Sequence, residues 1–217
     1  EYAVDVVEFD PAAIERKLPG RAMETHPDSG WAWSELDEIG PDAPAGARAQ
    51  RDALKLLAAF VQHNDNKAAN QRLFCPAGQE TGATGCRAPV LMVSDLGLTF
   101  GHAGLFNHNK DSVSLANWAG LPIWKDPALC VAQLEGSFTG HFDHPRISEA
   151  GRAFLAGLLV QLSDAQLRAL FESARVQRRS SDPSSDPGKD GPPASVDEWV
   201  RAFQSKRTQI VDHHCPQ

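Results

Sequence analysis

No part of this sequence is apolar for long enough to cross a bilayer. The longest uninterrupted run, Ala153 to Val160, covers eight residues, less than half of what a membrane helix needs. Positive charge is also scarce. Lys and Arg number 21 against 28 Asp and Glu, a net charge of −7, so the chain has no electrostatic footprint for a phosphate backbone and nucleic-acid binding is set aside. No C-x-x-C and no H-E-x-x-H occurs, which removes the strongest zinc signatures. There is no G-x-S-x-G elbow, so a serine hydrolase lacks support. No internal repeat recurs. Neither a basic leader region with an apolar core nor an initiator Met opens the chain, and the expectation is a mature form or a piece of a longer protein.

What is present fits one domain, or at most two small ones. The 217 residues are 41% hydrophobic and 23% charged, with a mean hydropathy of −0.36 and a pI near 5.6. That is the composition of a soluble globular chain. Patterning predicts an α+β, mainly α-helical fold. Tyr2 to Phe9 reads as a strand, and Asp10-Pro11 as an N-cap and first helical position of a short helix to Lys17. Residues 21 to 45 read as an ordered excursion with a helical turn near Trp33 to Asp37. Ala47 to Gln62 carries a wide apolar face at helical spacing (Ala53, Leu54, Leu56, Leu57, Phe60, Val61) and is the central helix.

Two strand-like runs follow, Arg72 to Cys75 and Pro89 to Val93, joined by a polar loop with three glycines. Cys75 ends the first strand and Cys86 stands just before the second, so a Cys75–Cys86 disulfide across the base of the loop is geometrically natural. Two unpaired thiols are the alternative. Residues 96 to 146 read as loops with short helices. Beyond them, Ser148 to Leu162 places Phe154, Leu155, Leu158 and Leu159 on one face. Ser163-Asp164-Ala165-Gln166 is a capping box opening a helix with Leu167, Leu170, Phe171 and Ala174 inward, the pair forming a helical hairpin. Residues 180 to 195 have the composition of a flexible linker. A second capping box, Ser195 to Glu198, opens a last helix with Trp199, Val200, Phe203 and Ile210 on one stripe within a C-terminal segment 196 to 217.

The chemistry-bearing stretch follows the central helix: His63-Asn64-Asp65-Asn66-Lys67-Ala68-Ala69-Asn70, then the hairpin, then Ser94-Asp95-Leu96-Gly97. Phosphoryl transfer needs a carboxylate to take the proton of the attacking hydroxyl, a cation near the transferred oxygens, and oxygen ligands for a divalent metal. H-x-D-x-K-x-x-N supplies a base, a cation and one ligand within eight residues. An Asp closing a neighbouring strand supplies another, and the Gly after it permits a sharp turn. The same Asp, Asn and Lys are also ordinary C-cap and turn residues, so a plain polar loop is the competing reading.

The stretch resembles the catalytic loop of the protein-kinase-like fold, and Asp95-Leu96-Gly97 resembles its D-F-G motif with Leu for Phe. The resemblance covers residues 45 to 100 and implies the large C-terminal lobe, residues 1 to 179, with a short β-hairpin between the two functional loops. It implies Asp65 as catalytic base, Lys67 on the transferred phosphate, Asn70 and Asp95 as ligands of Mg²⁺ or Mn²⁺, Gly97 at the nucleotide site, and His63 as a buttress. ATP would be the cofactor, and a protein or small-molecule hydroxyl the acceptor. The sequence departs from the family in its long hairpin loop, the lack of A-P-E, and the lack of a glycine-rich loop or a V-A-I-K lysine. The small lobe is therefore expected upstream, as a partner outside this chain. A pseudokinase-type binding module is the other reading. Divergent and secreted branches of the family accommodate cysteine pairs best, which implies an extracytoplasmic location if the cysteines pair and a cytoplasmic one otherwise.

Cys130 and Cys215 remain. A bond between them would pin the last helix and tail, the alternatives being a bond to a missing part or reduced thiols. His102, His108, His141, His144, His213 and His214 read as scattered surface histidines rather than zinc ligands. The five tryptophans read as packing anchors.

Overall fold

The computed structural model describes residues 18–24, 30–96, 99–101, 113–134, 142–178 and 193–216. The expected strand Tyr2 to Phe9, the helix to Lys17, Gly97 and nearly all of the 180 to 195 linker lie outside these residues. Helix α1, Ala45–Val61, is the spine. It ends because Gln62 turns left-handed (φ 55°) and the His63 N–H reaches back to Ala58 O at 2.8 Å, a closure that satisfies carbonyls with no intrahelical partner. Its buried face differs in part from the apolar stripe in the sequence. Asp52 and Lys55 are buried while Leu57 is 37% exposed. Lys55 is paired with Asp37, and Asp52 accepts from Arg51 and from Ser148, the N-cap of the helix packed alongside.

That neighbour is α3, Glu149–Leu159. The two helices approach closely because Gly151 faces α1, where a Cβ would stand 2.3 Å from Asp52 Cβ. Leu155, Ala156 and Leu159 point into the core, but Phe154 and Leu158 point out, so only half of the expected apolar face is inward. Helix α4, Asp164–Ser173, begins at the expected Ser163 to Gln166 capping box. It buries Leu167 and Phe171 and exposes Leu170 and Ala174. The two helices are bent by 82° and both pack on the last helix, so they do not form the expected hairpin. No single described helix is long and apolar enough to cross a membrane.

The last helix, α5 (Val196–Val211), opens on the expected Ser195 box and buries Trp199, Val200, Phe203 and Ile210. With α2 (Leu115–Gly120) it builds an aromatic core. Trp118 stacks on Trp199 with centroids 5.7 Å apart, and Phe60, Phe100 and Phe171 surround the pair. Trp118 Nε1 donates to Phe60 O at 2.7 Å, so the one polar atom of this buried ring is satisfied. Each such ring removes about 200 Å² from water, worth about 5 kcal/mol before entropy is counted. The C-terminal segment thus belongs to the same core as α1.

Three strands form a small antiparallel sheet in the order β1 (Gly20–Ala22), β2 (Gln71–Pro76), β5 (Val90–Val93). The β2–β5 pair is the expected hairpin, in register Gln71↔Val93 to Phe74↔Val90. Strand β1 was not expected, since Gly20-Arg21-Ala22 carries no strand signal. Its Gly20 lies against β2, where a Cβ would meet Cys75 O at 2.2 Å. The hairpin's enlarged tip folds into its own pair, β3 (Glu80–Thr81) and β4 (Gly85–Cys86), and the Cys75–Cys86 disulfide fastens it to β2. In the loop-rich middle, β6 (Trp124–Asp126) pairs with β7 (Val131–Ala132). The Cys130–Cys215 disulfide joins the turn between them to the tail after α5. The result is an α+β fold, mainly helical, with small sheets.

Candidate active site

The abrupt end of α1 at Gln62 throws the chain into the loop 63 to 70, and a short 3-10 turn at Ala68–Asn70 delivers it into β2. Because β5 pairs beside β2, the residues leaving β5 return to the same end of the sheet. The contact is direct. The backbone N–H groups of Ser94 and Asp95 both reach Asn70 O, at 2.9 and 3.2 Å. The helix-end loop and the segment after β5 are thus tied together through one carbonyl.

Within the loop, Lys67 Nζ lies 3.0 Å from Asp65 Oδ2, the lysine 41% and the aspartate 18% exposed at their side chains. Asn70 is buried and spends its amide nitrogen on Asp65 O at 2.7 Å, which fixes the loop's curvature and leaves Oδ1 as the oxygen able to ligate a hard cation. Asp95 is exposed. The Asp95 carboxylate and the Asn70 amide oxygen are oxygen donors, the chemistry Mg²⁺ or Mn²⁺ requires. Leu96, the middle of the D-x-G, is 60% exposed.

His63 lies beneath the loop, 1% exposed. Burial pushes its pKa down, while the negative charges of Asp65 and Asp95 pull it up less strongly, so the ring is neutral at neutral pH. Neither ring nitrogen finds a hydrogen-bond partner, and the same holds for Trp33 Nε1, Asn66 Oδ1 and Gln71 Oε1. With Glu24 Oε2 they are the buried side-chain atoms without a partner among the described residues, and five of the six gather around this one loop, where burial is costly.

Sequence reasoning did not assign several residues that support this loop. Trp33 stacks on Phe142 with centroids 4.6 Å apart and lies 5.9 Å from the His63 ring. Asn66 reaches His63 O and Phe142 O, each at 3.4 Å. Gln71 donates to Lys67 O at 2.8 Å. Trp31 Nε1 lies 3.1 Å from both Arg72 O and Met92 O, bridging β2 and β5. Gly30 admits this segment, since a Cβ there would stand 2.1 Å from both Ala68 O and Gln71 O. A W-x-W after a glycine was the available signal, and only its packing role was legible.

A cavity of about 410 Å³ lined in part by Arg48, Arg51, Asp52 and Ser148 lies at the opposite end of α1 and contains none of these residues. Of the histidines set aside as surface residues, His144 lies beside Leu134, and His102, His108 and His141 are outside the described residues. No protein-family model, curated protein or solved structure matches the chain.

Proposed function

We propose that the chain is a phosphotransferase of the protein-kinase-like type, built around the loop 63 to 70 and Asp95. The observation that carries this reading is the Asn70 bridge. Asn70 holds Asp65 O with its amide and the backbone N–H groups of Ser94 and Asp95 with its carbonyl, so the backbones that carry the proposed base and the proposed metal ligands are tied together. Asp65 would accept the proton of an attacking hydroxyl. Lys67, beside it, would move its charge toward the transferred phosphoryl oxygens. Asn70 Oδ1 and the Asp95 carboxylate would hold the divalent metal, which when bound neutralises nucleotide phosphate charge. His63, uncharged and buried, would support the loop from below without taking part in proton transfer. The acceptor would be a protein or small-molecule hydroxyl.

The chain carries no glycine-rich loop and no V-A-I-K lysine, and this favours a second reading, a non-catalytic binding module on the same scaffold. In the first reading the nucleotide-covering lobe is a partner supplied outside this chain. Two disulfides support an extracytoplasmic setting for either reading. The test is phosphate transfer from γ-labelled ATP with Mg²⁺ or Mn²⁺ to a panel of hydroxyl acceptors. Asp65→Ala and Asp95→Asn are each expected to lower transfer at least a hundredfold. Transfer unchanged in both variants would sink the assignment, and Mg-nucleotide binding without transfer would select the module.

A further inference from the structure

Cys130, His213 and Cys215 meet where the tail leaves α5. Among the described residues they are the one group of three or more His, Cys, Asp or Glu side chains whose ligand atoms all lie within 4.8 Å of one another. His213 Nε2 is 3.1 Å from Cys130 Sγ, and its ring leans on Trp124 with centroids 4.5 Å apart. In the oxidised chain the two sulfurs are bonded and offer no thiolate. We propose that in the reduced chain Cys130, Cys215 and His213 bind one zinc-class divalent metal ion. The tail is then anchored by a disulfide in oxidising surroundings and by a metal in reducing ones.

The donor set argues for this class of metal. Two thiolates and an imidazole suit a borderline-soft ion and do not suit Mg²⁺ or Ca²⁺. With metal bonds of about 2.1 Å to nitrogen and 2.3 Å to sulfur, adjacent ligands stand about 3.6 Å apart in a tetrahedron. The His213–Cys130 separation is already close to that edge. His213 is partly exposed, which leaves a fourth position for water.

The ligands are also held in place by contacts that do not involve the sulfur–sulfur bond. The Cys215 N–H donates to Glu149 Oε2 at 2.8 Å. Arg152 Nη1 donates to Ile210 O, and Trp124 Nε1 to Gln209 O, each at 2.9 Å. Ile147 N–H donates to Cys130 O at 2.9 Å. Reduction therefore leaves two thiols and a ring close together, and little chain ordering remains to oppose metal binding.

The chemistry balances in two steps. A cellular dithiol, or a phosphine in the laboratory, delivers two electrons to the disulfide, which takes up two protons and becomes two thiols. The dithiol ends as its own disulfide; the phosphine ends as its oxide, with the oxygen taken from water. The metal ion then displaces both thiol protons into solvent, and neutral His213 binds through Nε2.

The experiment uses the full chain, reduced with a phosphine that is then removed under anaerobic conditions, with Zn²⁺ alone as the probe. Alkylation at each cysteine is read by peptide mass spectrometry. One equivalent of Zn²⁺ is expected to slow alkylation of Cys130 and Cys215 at least tenfold and to leave Cys75 and Cys86 unaffected. Co²⁺ in place of Zn²⁺ is expected to give a thiolate charge-transfer band at a 1:1 ratio, and His213→Ala to weaken Co²⁺ binding at least tenfold. No protection, protection confined to Cys75 and Cys86, or a His213→Ala loss smaller than tenfold would overturn the proposal. Because the alkylation map is read on the unmutated chain, it decides the question even if a variant fails to fold.

Discussion

Lys206 is the buried charge whose removal gives the clearest reading of what the core tolerates. It is 1% exposed, its Nζ donates to Leu121 O at 2.7 Å, and it lies 5.5 Å from the centre of the Trp118 ring. No carboxylate pairs with it among the described ion pairs. Burial lowers its pKa from 10.5 to about 8. The unfolded chain therefore binds more protons than the folded one between about pH 8 and 10.5, and stability rises with pH through that window. At 1.36 kcal/mol per pH unit the cost of keeping the buried ammonium at neutral pH is on the order of 3 kcal/mol. The bond to the Leu121 carbonyl offsets about 2 kcal/mol of what Lys206→Met would recover. The variant is therefore expected to be as stable as the parent at pH 7, within about 1 kcal/mol. The parent should then gain on it by about 3 kcal/mol by pH 10.5. Urea unfolding of both proteins at half-unit pH intervals measures the difference, and titration of the other lysines cancels in it. A difference that is flat with pH, or that moves the other way, would refute the reasoning.

Other changes report on other parts of the fold. Gly30→Ala is expected to push the Trp31 to Trp33 segment off the loop, because the added methyl meets the Ala68 and Gln71 carbonyls. A loss of about 1–3 kcal/mol should accompany increased hydrogen exchange at residues 66 to 71, and unchanged exchange there would contradict the packing. Glu149 accepts from Arg152 at 2.6 and 2.8 Å, and mainly for that reason its pKa falls to about 2 from 4.5. This stabilisation is complete above pH 4.5 and is lost as pH falls toward 2. With a third of the side chain exposed, screening reduces it to about 1 kcal/mol, which Glu149→Gln should remove at pH 7 and not at pH 2, read by urea midpoints. The two disulfides should differ as well. The Cys130–Cys215 pair spans 85 residues and the Cys75–Cys86 pair 11. Loop entropy gives about 4.6 and about 3 kcal/mol, so Cys130→Ser with Cys215→Ser should lower the denaturation midpoint more than the matching change in the hairpin.

The elements legible in the sequence were those whose signal is local. The Ser163 and Ser195 capping boxes mark helix starts because an N-cap hydroxyl and a residue three positions on satisfy each other's backbone donors, wherever the helix later packs. The β2–β5 hairpin was legible for the same reason. The apolar faces of α3 and α4 were only half legible. Their stripes are wider than the surface available on α1 and α5, and Phe154, Leu158 and Leu170 remain outside. Strand β1 had no signal of its own, since Gly20, Arg21 and Ala22 are strand residues only because β2 offers them an edge.

The candidate site divides along the same line. His63, Asp65, Lys67, Asn70 and Asp95 share two short stretches, and their identities carry a pattern before any folding is known. The residues that hold them in place come from the loop itself (Asn66) and its continuation (Gln71), and from two distant segments, Gly30 to Trp33 and Phe142, which meet because α1 ends at Gln62 and β5 returns beside β2. That assembly has a cost, visible as five buried side-chain atoms of Trp33, His63, Asn66 and Gln71 without partners. A loop needed only to connect a helix to a strand would gain stability by replacing His63 with an apolar residue of similar size, because each orphaned polar atom costs about 1–3 kcal/mol. His63→Phe is therefore expected to leave stability unchanged or raise it by about 1 kcal/mol in thermal unfolding. If the proposed phosphotransfer holds, the change should also weaken that transfer, because it replaces the buried ring that supports the loop carrying Asp65. A His63→Phe protein that loses several kcal/mol would mean that the ring is an ordinary core group, and that its burial beneath the loop says nothing about chemistry.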